Sequence, residues 1–380
     1  MTTTECATRR EHRRGRSIPA FVCAAVGAVV MIAVPVIARQ VDGTADEFST
    51  DTVPVLPALG WLLLAGLAAI VLTHRLQIWF SVDEGPVLAV AYDLLPLLLL
   101  LAPAIATVAW ASGHLLLGSA GAALSGYGAV LVLPRLFANR RPSWAETAPR
   151  FELAVANVYV DNPTPRAAAE QLVACVADVI VIAEATPAFM DHFDAAGGDQ
   201  SYPHRVTDPT DQSDYAVAIV AREPLGERSQ VLSLGPLRLA LAEVDVDGVA
   251  TMVLALNPMS SFDPHGQVTW KGQIRALVEF VPTITGPMVI AGDLNSTIYR
   301  PQFDGLLRAG LTDAIDSLGQ AWRPSFSLRS VWPLGALGAF VRLDHALVNE
   351  NGCALHLRNL EPAGSDHIPF MITLAVRPEQ

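Results

Sequence analysis

Apolar positions follow two different patterns along the chain. Up to about residue 137 they form long, nearly uncharged runs. Beyond about 150 they form short runs separated by polar and amphipathic stretches. A bilayer core is crossed by about 20 consecutive apolar residues in a helix. The first pattern therefore predicts four transmembrane segments, at about 17–38, 53–73, 86–110 and 114–137. The basic tail 1–16 precedes them. Basic residues ahead of an apolar run also fit a cleaved signal peptide. The first run is too long for a signal core and further spans follow, so an uncleaved anchor is the reading. The fourth segment is rich in Gly, Ala and Ser, as helix contacts in lipid often are. Asp93 interrupts the third near its start. That favours a place at the membrane interface over an intramembrane functional carboxylate.

Residues 138–150 are polar and read as a juxtamembrane linker to a domain spanning 151–380. In that domain a strand at 151–160 leads to a helix at 165–177 and an apolar strand at 178–184. Strand-like runs follow near 215–221, 238–246 and 250–256. A helix at 267–282 precedes a buried strand ending at Gly292. Strands near 341–348, 354–359 and 368–376 follow. This alternation predicts an α/β architecture of packed sheets with outer helices.

Composition and charge sharpen the division. Hydrophobic residues make up 52% of the chain and mean hydropathy is +0.38. The excess lies in the first 140 residues or so. Residues 1–147 hold as many basic as acidic side chains, so the net charge of −12 belongs to the remainder. An acidic domain has little long-range attraction for a polyphosphate backbone, which counts against a nucleic-acid substrate. Cys6, Cys23, Cys175 and Cys353 fit no zinc spacing. By the positive-inside rule, arginines in the tail and at Arg135, Arg140 and Arg141 put both ends of four spans in the cytoplasm.

The candidate chemistry sits at strand ends. Pro287-Met-Val-Ile-Ala291 runs into Gly292, Asp293 and Asn295; two residues apart on extended chain, the last two side chains share a face. Asp178-Val-Ile-Val-Ile-Ala-Glu184 ends on a carboxylate. Asn157 lies in the strand before it, Asp344 opens Asp-His-Ala-Leu-Val348, and Gly364-Ser-Asp-His367 precedes the last strand. Phosphoester hydrolysis needs a cation, an activated water and phosphate-oxygen donors. Glu184 is the best metal ligand, Asn157 an added oxygen ligand or support for it, and Asp366 a further ligand. Mg²⁺ favours such a sparse carboxylate set, and Mn²⁺ is the alternative. Asp293 would orient or deprotonate the attacking water, and Asn295 would donate to a phosphoryl oxygen. His367 would contact the phosphate, with Asp344 fixing its tautomer.

In this order, over about residues 150–376, these motifs resemble the endonuclease/exonuclease/phosphatase superfamily, in its membrane-anchored bacterial form. The resemblance implies a DNase I-like sandwich of two packed β-sheets with outer helices, and the same roles at Asn157, Glu184, Asp293, Asn295, Asp344, Asp366 and His367. Membrane-tethered relatives resemble a three-span design with the catalytic domain outside, opposite to the charge reading. Asn257 departs from the family pattern: it occupies the strand end where relatives carry His, and an amide cannot act as an acid. Tyr202, His204 and Arg205 resemble a family loop and read either as a substrate approach or as a solvated loop. Trp332–Phe340 is an apolar, Gly-rich stretch just ahead of Asp344. The expectation is a multi-pass, metal-dependent phosphoesterase in the cell membrane, acting on a lipid-linked or membrane-proximal phosphoester. A nuclease and a catalytically weak ligand- or partner-binding protein are the rivals.

Overall fold

In the computed structural model, the described residues are 55–80, 85–260, 264–328 and 338–378. The tail 1–16, the expected span 17–38 and most of the 332–340 stretch lie outside them. The chain divides between Leu133 and Pro134 into two compact units.

The first unit is helical, with helices at Val55–Phe80, Pro86–Asp93, Leu95–Leu99, Leu101–Ala111 and Leu115–Val132. Pro57–Trp79 and Leu115–Leu136 are each long and apolar enough to cross a membrane. The expected third segment is bent by 73° between Val87–Asp93 and Leu95–Ala111, as a broken span or a re-entrant loop would be. Asp93 is buried at that break. Leu64, Leu67, Ala102, Ala109, Leu117 and Leu124 pack together between the helices.

The second unit is a sandwich of two six-stranded mixed sheets. The first sheet is built from β1 (Arg150–Asn157), β2 (Val179–Ala183), β3 (His204–Thr207), β4 (Val217–Ala221), β13 (Gly352–Asn359) and β14 (Phe370–Val376). Its spatial order is β13-β14-β1-β2-β4-β3. The second has the order β5-β6-β7-β8-β12-β9, from β5 (Gln230–Leu234), β6 (Leu237–Val246), β7 (Val249–Leu256), β8 (Met288–Asp293), β9 (Thr312–Asp313) and β12 (Asp344–Val348). β10 (Phe326–Ser327) and β11 (Ala339–Val341) form a short separate ribbon.

At the centre of each sheet lies one parallel pair, β1 with β2 and β7 with β8. Strands buried on both faces read as continuous apolar runs, and β2 and β8 are buried at every position. Alternate residues divide between two cores. Leu153, Val155, Val179 and Val181 meet Val253, Ala255, Val289 and Ala291 between the sheets. Ala154, Ala156, Ile180 and Ile182 pack outward against Leu172, Phe189 and Phe193 of the covering helices.

Gly292 is needed where β7 and β8 run together. Its φ is 135°, and a Cβ there would lie 2.0 Å from the Leu256 carbonyl oxygen. No L side chain fits that position. The expected strand 341–348 is two strands, β11 and β12, separated by Arg342 and Leu343. Tyr202 is not at a substrate approach: its ring is fully buried in the outer core, with the Arg222 guanidinium above it. Arg205 pairs with Asp194.

Candidate active site

Parallel pairing aligns strand ends. Asn157 at the end of β1 is opposite Ala183, so Glu184 follows directly beside it. Asp293 at the end of β8 is opposite Asp344 at the start of β12. The parallel pair β1–β2 thus brings Asn157 and Glu184, and the antiparallel pair β8–β12 brings Asp293 and Asp344, to one rim of the sandwich. Asn157 joins the two sheets there: its amide nitrogen donates to Glu184 Oε1 at 2.8 Å and to Asp293 Oδ2 at 3.1 Å. Three residues at this rim, Tyr159, Glu184 and Asn295, have φ of 60°, 59° and 49°. Left-handed backbone at non-glycine residues is uncommon, and strain of this kind gathers at functional sites.

His367 lies between two carboxylates. Its Nδ1 is 2.7 Å from Asp344 Oδ2 and its Nε2 is 3.6 Å from Asp293 Oδ2. The Phe326 ring packs on the imidazole with centroids 5.0 Å apart. Burial alone would push the imidazole down; the charges of Asp344 and Asp293 outweigh it and raise it to about 10. Burial pushes Asp293 up to about 6, against the His367 charge. Glu184 is pushed up to about 7, again chiefly by burial, although Asn157 and the Val160 N–H donate to it.

Asn295 spends one amide hydrogen on the Pro258 carbonyl at 2.9 Å, and its backbone N–H donates to Asp293 Oδ1. Asn257 is buried at the end of β7, where its amide donates to the Asp214 carbonyl at 2.8 Å and ties down the 208–215 loop. The Asp366 side chain is half-buried, and its charge raises both Tyr159 and His367.

Two serines hold this arrangement, Ser365 of the Gly364-Ser-Asp-His367 motif and Ser325, which no motif includes. Ser365 Oγ donates to the Asn157 carbonyl at 2.8 Å and accepts from the His367 N–H at 3.0 Å, joining β1 to the His367 turn. Its place beside Asp366 and His367 was the available signal. Ser325 Oγ accepts from the N–H groups of Leu343 and Asp344, setting the start of β12. No sequence pattern marks Ser325.

Donor chemistry offers two places for a cation. Ligand atoms of Asp293, Asp344 and His367 all lie within 4.8 Å of one another. In that group, however, one imidazole nitrogen is engaged by Asp344 and the ring favours its protonated form, which has no lone pair for a metal. Glu184, with Asn157 beside it, is the better fit. It is a carboxylate in a partly buried, acid-rich rim, where a cation would oppose the rise in its pKa.

The chain matches the Endonuclease/Exonuclease/phosphatase family over residues 154–367, more than half its length. The chain belongs to that family. Its members are metal-dependent hydrolases of phosphoester bonds. No curated protein matches the chain. Among solved structures, humanized D. rerio TDP2 carrying 14 mutations is similar at 17% identity and TM-score 0.50, over 60% of this chain and 99% of that one. An endonuclease/exonuclease/phosphatase from Beutenbergia cavernae is similar at 18% identity and TM-score 0.45, over 60% and 72%. Sphingomyelinase C from Streptomyces griseocarneus is similar at 16% identity and TM-score 0.44, over 59% and 99%. The likeness to TDP2 is one of fold, and the fold is DNase I-like.

Proposed function

We propose that this family member is a membrane-anchored phosphoesterase that hydrolyses a lipid-linked or membrane-proximal phosphoester. The observation that carries the reading is the pair of chains Glu184–Asn157–Asp293 and Asp293–His367–Asp344, meeting at Asp293 on one rim. Glu184, with Asn157 and Asp366, would hold Mg²⁺ or Mn²⁺. When bound, the cation offsets negative charge on the phosphoryl oxygens.

The chain's own groups supply the rest. Asp293, fixed by Asn157 and the Asn295 N–H, orients the attacking water and takes its proton. The second amide hydrogen of Asn295 is directed to a phosphoryl oxygen. Imidazolium at His367, held by Asp344, stabilises charge as it grows in the transition state. With Asn257 in place of an acid at the β7 end, the leaving group gets no proton from that position. The reading favours substrates whose leaving group is already a weak base.

The membrane part rests on the apolar helices 57–79 and 115–136, and on an acidic catalytic unit that favours a membrane substrate over nucleic acid. The test is the purified full chain with Mg²⁺ or Mn²⁺ against phospholipids, polyprenyl phosphates, nucleotides and DNA, beside Glu184→Ala. The variant is expected to lose hydrolysis and weaken Mg²⁺ binding while its circular dichroism stays that of the parent. A Glu184→Ala protein as active as the parent would overturn the metal assignment; cleavage of DNA ahead of every lipid would overturn the substrate class.

A further inference from the structure

The chain passes from the apolar helices toward β1 through Pro134–Asn139, which the sequence divides between the end of the fourth apolar segment and the start of the polar linker. Within the catalytic unit this segment is seated against the turn Asp313–Gly319. Arg135 Nη1 is 2.6 Å from Asp316 Oδ2. Asn139 N–H donates to the Ser317 carbonyl at 2.7 Å, and Ala138 forms an isolated antiparallel bridge with Leu318. Gly319, with φ of 72°, makes room for it: a Cβ there would lie 2.5 Å from the Ala138 nitrogen. A loose tether has no need of a glycine opposite it.

What lies behind that seat is the loop after β8. The Arg135 guanidinium stacks over the Tyr299 ring at 5.6 Å, and Tyr299 belongs to the loop Leu294–Arg300 that bears Asn295. A second route runs through Asp313. Asp313 Oδ1 accepts from the Ile315 and Asp316 N–H groups, which fixes the turn that Arg135 grips. Its Oδ2 is 2.6 Å from His345 Nδ1, and His345 Nε2 is 2.9 Å from the Ser296 carbonyl. Both routes end within four residues of Asn295, on fully or nearly buried groups.

We propose that Pro134–Asn139 is a positioning element of the hydrolase, and that Arg135 is a positioning residue holding the Leu294–Arg300 loop in register through Tyr299 and the Asp316–Asp313–His345 chain. The strand of polypeptide that leaves the membrane helices thereby sets the geometry of the active-site rim. The kinetic part of this inference rests on the hydrolase reading above; the structural part does not.

Two readouts on the full chain in detergent micelles keep the two apart. Amide hydrogen exchange reports the loop without any substrate. Arg135→Ala should quicken exchange across 296–300 and leave the amides of β1 and β2 as in the parent, while Arg135→Lys, which keeps the charge, should restore part of the protection. With bis(p-nitrophenyl) phosphate and Mn²⁺, Arg135→Ala should lower kcat by about 10- to 100-fold, the scale of a small misplacement of reacting groups, with KM within about twofold. Unchanged exchange at 296–300 in Arg135→Ala overturns the proposal, whatever the rates. Loosened exchange with an unchanged kcat overturns the claim that the loop's register matters to the chemistry. A parent that cleaves no phosphoester at all counts against the hydrolase reading, and exchange still decides the positioning role.

Discussion

Asp313 and Arg342 show how much a single buried charge governs here. Asp313 is almost fully buried, and burial alone would push its pKa up. Arg342 and His345 outweigh burial and hold the carboxyl well below the usual carboxylate range. A group with a depressed folded value contributes stability above its unfolded value, near 4, and loses that contribution as pH falls toward the folded value. Asp313→Asn is therefore expected to cost about 3 kcal/mol at pH 7, the scale of breaking a buried pair. The gap between parent and variant should narrow below about pH 4. Urea unfolding of both proteins at pH 7 and pH 3.5 measures it, and a gap independent of pH would contradict the assigned ionisation. At this scale the sequence was informative where chemistry is paired with position. Asp293, Asp344 and His367 each follow or open a strand, and they do meet. Ser325 and Trp270 were illegible for the opposite reason. Trp270 Nε1 donates to the Leu294 carbonyl from a helix that only the tertiary fold brings there.

Among the elements, those with long apolar runs were readable. β2, β7, β8 and β14 come within a few residues of expectation, because a strand buried on both faces must be apolar throughout. The strands β3, β5, β9, β10 and β11 were not legible. They have two to five residues each, too short to show an alternating pattern. The stretch 138–150 also differed in character, since a 3-10 turn at Ser143–Glu146 and the contacts of Asn139 fix it to the sandwich. Ser143 remains exposed and so reports the side of the membrane. In a background lacking the native cysteines, Ser143→Cys should resist a membrane-impermeant thiol reagent in intact cells and react after lysis, as the arginine distribution requires. Labelling of intact cells would place the catalytic unit outside, the arrangement to which a three-span topology leads.

For the whole molecule, the division of labour is electrical as well as structural. The net charge of −12 lies beyond residue 147, so the catalytic unit gains nothing from long-range attraction to anionic substrates. On the proposed function, its helices would supply proximity instead. Confinement to one bilayer raises the effective concentration of a lipid substrate. Hydrolysis of a lipid phosphoester should thus be much faster when enzyme and substrate share a vesicle than when each occupies its own. Equal rates in the two mixtures would mean the anchor contributes nothing to substrate capture. That expectation was open to the sequence, because the two apolar patterns separate so cleanly. The seating of the exit segment on the catalytic unit was not, because it depends on one glycine and one arginine in unremarkable surroundings.

The pairing of β1 with β14 sets a timetable. β1 is the first strand of the sandwich to be synthesised and β14 the last. At about 5–20 residues per second, β1 waits on the order of ten to forty seconds for its neighbour. Through that interval one edge of β1 stays open, and Asn157 has neither Ser365 nor His367 beside it. A chain made only as far as β13 therefore lacks Ser365, Asp366 and His367 at the rim. On the proposed function, hydrolytic competence arrives only with the turn bearing His367 and the strand that follows it, long after the apolar helices are made.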